Sequence, residues 1–285
     1  MLTWPDAARL ALSIVVNVEE GAEMRVVDGD RGPEPVDELG VVVKKPIRNH
    51  MNESNYAYGI REGFPRIARL LDASGIRATF TAAAVALERA PAIAAYIRDG
   101  DHEVAAHGHR WVHQFHLDED AERAFIRAAA DSLERTTGQR PSGWLSRYLL
   151  TDRTRRLLAE EGFGYHMDDL SADAPYWDVV DGRPLVIVPY QIDTNDMKLW
   201  TAPAYTPEQW LRYATDTFDW LLREGAEGPA RMMSLGLHLR VIGRPGRIWA
   251  LERFLAHVAA HDGVWIATRR EIAERFRACV PAPTG

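Results

Sequence analysis

The sequence predicts an α/β protein in which seven or eight strand–helix units curl a parallel sheet into a barrel. Three observations carry this expectation. Short apolar runs of strand length alternate with amphipathic helical segments along most of the 285 residues. Gly or Pro punctuates many of the helix ends. Polar clusters recur just past the strands, where active residues collect in β/α barrels and in open parallel sheets. The number of units favours a barrel. No domain boundary is visible, so residues 1–285 are expected to form one domain.

The first strand is the strongest. Residues 10–18, Leu-Ala-Leu-Ser-Ile-Val-Val-Asn-Val, are nearly all apolar and fit a strand buried on both faces. The run stops at Glu19-Glu20-Gly21. Two carboxylates at a buried strand end are costly unless they face a polar site. Residues 22–55 are rich in Gly, Pro and charge and lack periodicity. A connection of that length is uncommon and often functional, so it is expected to fold over the mouth of the site or to form an oligomer contact. Its end, Glu53 to Gly59, leads into a helix.

A regular alternation follows. Residues 64–73 have a helical period closed by Ser74-Gly75, and 78–83 read as a strand. Residues 91–98 read as a helix closed by Gly100, and 102–106 as a strand running into three histidines. Asp118 is placed to cap a long helix that reaches about Thr136. Strands at 143–146 and 165–167 flank a helix at 152–161, and the second ends at Asp168-Asp169. A strand at 185–190, a helix at 207–223, a strand at 231–239, a helix at 247–261, a strand at 264–268 and a helix at 271–278 complete the chain.

Composition narrows the function. With 46% hydrophobic and 26% charged residues, the chain is an ordinary globular protein. A net charge of −7 weighs against nucleic acid and anionic membrane as partners. No apolar run is long enough to span a bilayer, and the N-terminus shows no signal-peptide pattern. The single cysteine, Cys279, excludes an internal disulfide framework and a Cys-rich metal site. A cytoplasmic protein acting on a small molecule is expected.

The residues that could carry chemistry lie at strand ends. Glu19 and Glu20 are candidate general bases or metal ligands, against the plainer reading of a salt-bridged strand end. His107, His109 and His113 fall within seven residues, and such imidazole clusters suit proton transfer or metal binding. His109 and His113 are spaced i, i+4, as are His107 and Trp111. Asp193, Asn195 and Asp196 are either a turn or substrate-binding groups. His238 sits in an otherwise apolar strand, as a hydrogen-bonded core histidine or as a general acid. Arg147 and Tyr148 mark another strand end.

The order of these segments resembles the polysaccharide deacetylase superfamily, and within it the bacterial allantoinase branch. The matching stretches are Asn17-Val18-Glu19-Glu20-Gly21, His107-Gly108-His109-Arg110-Trp111, Pro189-Tyr190 with Asp193-Thr194-Asn195-Asp196-Met197, and Met232 to His238. The resemblance implies a distorted β/α barrel, hydrolysis of non-peptide amide C–N bonds and a homo-oligomer. It implies Glu19 or Glu20 as base or metal ligand, His107 as ligand or base and His238 as acid. Trp111, Arg147, Tyr148, Asp193, Asn195 and Asp196 are then placed around the substrate. In the sugar deacetylases paired aspartates begin the site and a His-x-x-x-His pair holds a divalent metal. Here the acidic pair is Glu19-Glu20, and Trp111 stands at the second histidine position. Two arrangements remain open: no cofactor, or one divalent ion, zinc being one choice, held by a set drawn from Glu20, His107, His109 and His113. The expected reaction is hydrolysis of a small cyclic amide, ureide or imide. The alternatives are a metal-dependent N-deacetylase of an amino sugar and a degenerate barrel that only binds a ligand.

Overall fold

The structure is a computed structural model that describes residues 1–38, 40–43 and 45–283. Nine strands are present among them: β1 (Leu10–Val18), β2 (Thr79–Ala82), β3 (Glu103–Ala106), β4 (Gly143–Trp144), β5 (Tyr165–His166), β6 (Tyr176–Val180), β7 (Arg183–Ile187), β8 (Arg231–His238) and β9 (Val264–Ile266). The helices are α1 (His50–Tyr58), α2 (Phe64–Ser74), α3 (Ala84–Arg89), α4 (Pro91–Asp99), α5 (Glu119–Thr137), α6 (Thr154–Glu160), α7 (Pro207–Glu227), α8 (Pro245–Ala259) and α9 (Arg269–Cys279).

The strands form one curled mixed sheet in the order β6-β7-β5-β4-β3-β2-β1-β8, with β9 paired to the start of β1. All neighbours pair in parallel except β6 and β7, which form a hairpin. That hairpin departs from the simple strand–helix alternation expected. Its two-residue turn, Asp181-Gly182, has positive φ at both positions (49° and 73°), the geometry of a type I′ turn. The sequence carries that signal, but Tyr176–Val180 is only partly buried and lacks an apolar run to mark it as a strand.

β1 shows why the fold is legible. Leu10, Leu12, Ile14, Val16 and Val18 point outward and join Phe80, Ile67, Leu71, Phe218 and Phe254 in the core between sheet and helices. Ala11 and Val15 point inward with Tyr165, Met167, Val186 and Tyr190. Both faces are buried, so the strand has no polar side to alternate.

Among the described residues no ladder between β7 and β8 closes the barrel. The gap is bridged by side chains. Arg269 donates from Nη1 to Ser234 Oγ at 2.9 Å and from Nη2 to the carbonyls of Pro189 (2.6 Å) and Val188. Gln191 Oε1 accepts from Ser234 N at 2.6 Å, and Thr194 Oγ1 donates to Ser234 O at 2.6 Å. Beneath them Glu103 accepts from Tyr165 Oη at 2.7 Å and from Thr79 Oγ1 at 2.8 Å. Burial pulls the Arg269 guanidinium down to about 10.

The segment expected to run as a loop from 22 to 55 ends earlier, because α1 begins at His50 with Asn49 as its cap. Leu39 and Lys44 within it lie outside the described residues. The rest crosses the C-terminal ends of the strands, with Glu34 and Val36 directed at the interior. A π-helical turn, Gly59–Gly63, joins α1 to α2. A Cβ on Gly59 would come within 2.6 Å of Glu20 Oε1, so only glycine lets this turn pack onto the first strand end. Among the described residues no helix is long and apolar enough to cross a membrane.

Candidate active site

The end of β1 delivers two adjacent carboxylates to different places. Glu20 is fully buried and is held by its own neighbourhood: it accepts from Glu19 N at 3.1 Å and from Arg240 N at 3.2 Å. Glu19 points the other way, onto a cavity of about 470 Å³ at the mouth of the barrel. Of the pair, only Glu19 lines that cavity. Its Oε2 takes a 2.8 Å hydrogen bond from Arg240 Nη1. Its Oε1 lies 3.3 Å from His238 Nε2 and 3.6 Å from His107 Nε2.

His238, at the end of β8, is anchored behind. Asp196 Oδ1 is 2.7 Å from His238 Nδ1, and Asp196 Oδ2 accepts from the backbone N–H groups of His238 (2.7 Å) and Ile242 (3.1 Å). Asp196 is fully buried and touches the imidazole rather than the cavity, so it positions His238. Burial pulls His238 down, but Glu19 and Asp196 on its two sides outweigh it and raise the imidazole to about 10. Burial likewise pushes Glu19 up, and the charges of His238 and Arg240 overcome it, holding the carboxyl well below the usual range. Glu20 moves the other way: burial raises it more than Arg240 lowers it. One carboxylate is thus kept charged beside a protonated imidazole.

His107 follows β3. Its Nδ1 is 2.7 Å from the Leu145 carbonyl, which can only accept, so the ring proton is assigned to Nδ1. The Nε2 lone pair then accepts from Trp111 Nε1–H at 3.1 Å. Trp111 is buried and lies flat under the Arg147 guanidinium, 3.7 Å from its ring centre. Arg147 donates from both terminal nitrogens to Glu34 and from Nη1 to the Trp111 carbonyl at 2.6 Å. Its guanidinium therefore fastens the long segment to the barrel, which leaves only its backbone turn for a ligand. Tyr148 stands on the rim, 62% exposed, with left-handed φ at both Tyr148 (46°) and Leu149 (37°). Strain of this kind collects at ligand sites.

The remaining expected residues divide. Asn195 lines the cavity and donates to Tyr190 Oη at 2.9 Å. Asp193 does not line it; its carboxylate accepts from Tyr213 Oη at 3.1 Å on a separate surface groove. His109 is half-buried against Ala84 and Val85, whose N–H groups bond to the Gly108 and His109 carbonyls. His113 reaches the Arg147 carbonyl at 3.0 Å. Neither lines the cavity. Among the described residues the one set of three His or carboxylate donors within 4.8 Å of one another is Asp219, His257 and His261, on the outer helices α7 and α8 and just past them.

Arg240, Asn17 and Tyr190 stand at strand ends in the sequence but carry no assigned role there. Asn17 donates to Tyr190 Oη and to the Leu237 carbonyl, each at 3.1 Å, and accepts from Thr81 Oγ1 at 2.6 Å. Gly236 leaves the space: a Cβ there would stand 2.2 Å from Tyr190 Oη. The signal for Arg240 was its place two residues beyond His238, where a cation beside an acidic strand end is electrostatically apt.

An incompletely closed β/α barrel gathers a carboxylate and two imidazoles at its C-terminal mouth, groups of the kind that transfer protons in enzymes. Residues 53–167 match the family model for polysaccharide deacetylase. A Schizosaccharomyces pombe protein assigned to the polysaccharide deacetylases is 33% identical over 301 aligned residues, which cover 98% of this chain and 93% of that protein. Puue allantoinase superposes with a TM-score of 0.93 at 39% identity, over 98% of this chain and 93% of its own. A probable polysaccharide deacetylase from Pseudomonas aeruginosa PAO1 superposes at 0.92 and 39% identity, over 98% and 94%. The chain belongs to the polysaccharide deacetylase family.

The resemblance leaves open either no cofactor or one divalent ion, and the donor set does not fit an ion. The Nε2 lone pair of His107 is turned to the Trp111 N–H, and Trp111 offers no ligand atom. Glu20, His109 and His113 are held by other partners or face away from the cavity. Arg240 already places a permanent positive charge 2.8 Å from Glu19. Chelation is therefore expected to leave the hydrolysis rate within about twofold of the untreated protein. A loss of tenfold or more, restored by zinc, would contradict this reading of the donors.

Proposed function

We propose that the protein hydrolyses a carbon–nitrogen bond in a small cyclic amide, ureide or imide, in the manner of the allantoinase it resembles. The observation that carries this is the position of Glu19, charged and facing a cavity between two imidazole Nε2 atoms. Glu19 takes a proton from water, whose oxygen bonds to the amide carbon. His238 gives its Nε2 proton to the leaving nitrogen as the C–N bond breaks. Glu19 Oε1 and His238 Nε2 are 3.3 Å apart, so the proton taken from water can return to the imidazole. The net change is one water consumed, one carboxyl and one amine or amide formed. Asp196 orients the imidazole and stabilises its charge, a role that general acids commonly require.

A second reading, N-deacetylation of an amino sugar, is supported by the family model and by the relatives named as polysaccharide deacetylases. The same proton transfers serve it. A substrate panel of hydantoins, cyclic imides and N-acetylglucosamine separates the two: turnover of the rings supports the first, and turnover of only the acetylated sugar replaces it with the second.

The pH dependence follows from His238. With its proton held up to about 10, kcat is expected to stay level through neutral pH and to fall as pH passes about 10. His238→Asn should lower kcat and remove that alkaline limb; a limb that persists unchanged would assign it to another group. Stability follows the same sign. The contribution of a raised histidine is complete below its ordinary 6.5 and is lost as pH rises through about 10.

A further inference from the structure

The walls of the cavity say more about the substrate than its catalytic end does. Among the described residues two cationic side chains reach the cavity, Arg147 and His238. Arg147 is paired with Glu34 and stacked on Trp111. His238 is bracketed by Asp196 and Glu19. Neither is free to pair with a carboxylate or phosphate on a ligand. The polar groups of the wall are similarly engaged. Both Asp168 oxygens accept from Ser146 N, at 2.8 and 3.0 Å. Asn17 and Asn195 use their amides on Tyr190 Oη and on the backbone. Beyond the Glu19–His238 pair and the backbone turn at Arg147, what remains open is apolar: Leu145 and Met167 at depth, Leu150, Leu170 and Ile192 towards the mouth. Tyr148, Leu170 and Ile192 are 62%, 58% and 47% exposed, so the apolar surface continues out of the cavity onto its rim. A contiguous apolar lip around a pocket marks a binding surface.

Size points the same way. A cavity of about 470 Å³ falls in the range that holds drug-sized ligands, and a single five- or six-membered ring leaves much of it unfilled. A polar arm in the remaining space would lose its water against Leu145 and Met167 without gaining partners, which is costly. An apolar arm would gain.

We propose that the substrate of this site is an uncharged cyclic amide, imide or ureide bearing an apolar substituent, with the ring at Glu19 and the substituent along Leu145, Leu150, Met167, Leu170 and Ile192. This rests on the ring-hydrolysis reading and narrows it.

The test is kcat/KM of the full-length protein on hydantoin, 5-isobutylhydantoin, 5-benzylhydantoin, 5-ureidohydantoin and 5-carboxymethylhydantoin, with N-acetylglucosamine alongside. Each methylene buried is worth about fourfold. The isobutyl and benzyl compounds are expected to exceed hydantoin by at least tenfold, and the ureido and carboxymethyl compounds to fall below both. Ile192→Asp, at the half-exposed rim, should reduce the benzyl-to-hydantoin ratio by fivefold or more, with a folded-state melting curve as the control. A flat series, or a preference for the ureido or carboxymethyl arm, overturns this inference and leaves ring hydrolysis standing. If no ring is opened, ring hydrolysis itself fails. Titration calorimetry then decides the pocket's preference: tighter binding of the benzyl than of the carboxymethyl compound by at least tenfold supports an uncharged apolar ligand, and the reverse order, or a smaller difference, rejects it.

Discussion

Glu19→Gln is expected to lower kcat/KM by about 10²–10⁴, the range that a positioned general base supplies. The exchange keeps the volume and one acceptor oxygen for Arg240 while removing the charge that faces His238. Two readouts accompany the rate. The fold should persist, because Glu20 still accepts from Arg240 and Glu38 lies 3.2 Å from Arg240 Nε. The alkaline limb should move to lower pH, because the charge of Glu19 is the first of the influences that raise His238. An unchanged kcat/KM in a folded variant would remove Glu19 from the chemistry. Glu20→Gln is the natural comparison: Glu20 does not line the cavity, so its effect should fall on stability more than on kcat.

The second large effect is on the fold. Arg147 and Glu34 are 113 residues apart in sequence, and each side chain is 1% exposed. Arg147→Ala leaves the Glu34 carboxylate buried without its partner, and breaking a buried pair in this way costs about 3–5 kcal/mol. It also removes the stack on Trp111. Denaturant unfolding should show that loss. Replacing both partners together, with Arg147→Met and Glu34→Leu, should recover much of it, since an apolar pair of similar volume avoids the orphaned charge. A loss below about 1 kcal/mol for Arg147→Ala would mean that water reaches Glu34.

Most of the sheet could be read from the chain because its strands are buried on both faces. β1 and β8 are apolar along most of their length, broken in mid-strand by Ser13 and Ser234, and the polar residues at their ends, Asn17 and His238 with Glu19 just beyond β1, fall where the strands open onto the site. The β6–β7 hairpin was less legible because one strand is half-exposed, and only Asp181-Gly182 announces it. Within the site, residue types at strand ends were informative, but orientation was not. Glu19 and Glu20 look equivalent in sequence, yet the chain turns just past β1 and only Glu19 reaches the cavity. Arg147 reads as a ligand-binding cation. Its engagement by Glu34 depends on how residues 22–49 fold back, and nothing local to Arg147 encodes that. His109 and His113 have ligand spacing for a helix, but residues 107–117 run as loop and turns, so the spacing does not place them together.

Arg240 has a wider consequence. Its guanidinium lies against Glu19, Glu20 and Glu38 and is stacked 4.2 Å from the centre of the Tyr56 ring. Divalent sites of nitrogen and oxygen donors follow a fixed order of affinity, so a cell must control which ion fills them. A cation supplied by the polypeptide is loaded at synthesis, at fixed stoichiometry, and cannot be exchanged for copper or stripped by a competitor. A centre organised around it would work equally in zinc-starved and zinc-replete cells, and its working range would be bounded by acidity, through Glu19 and His238, in place of metal supply.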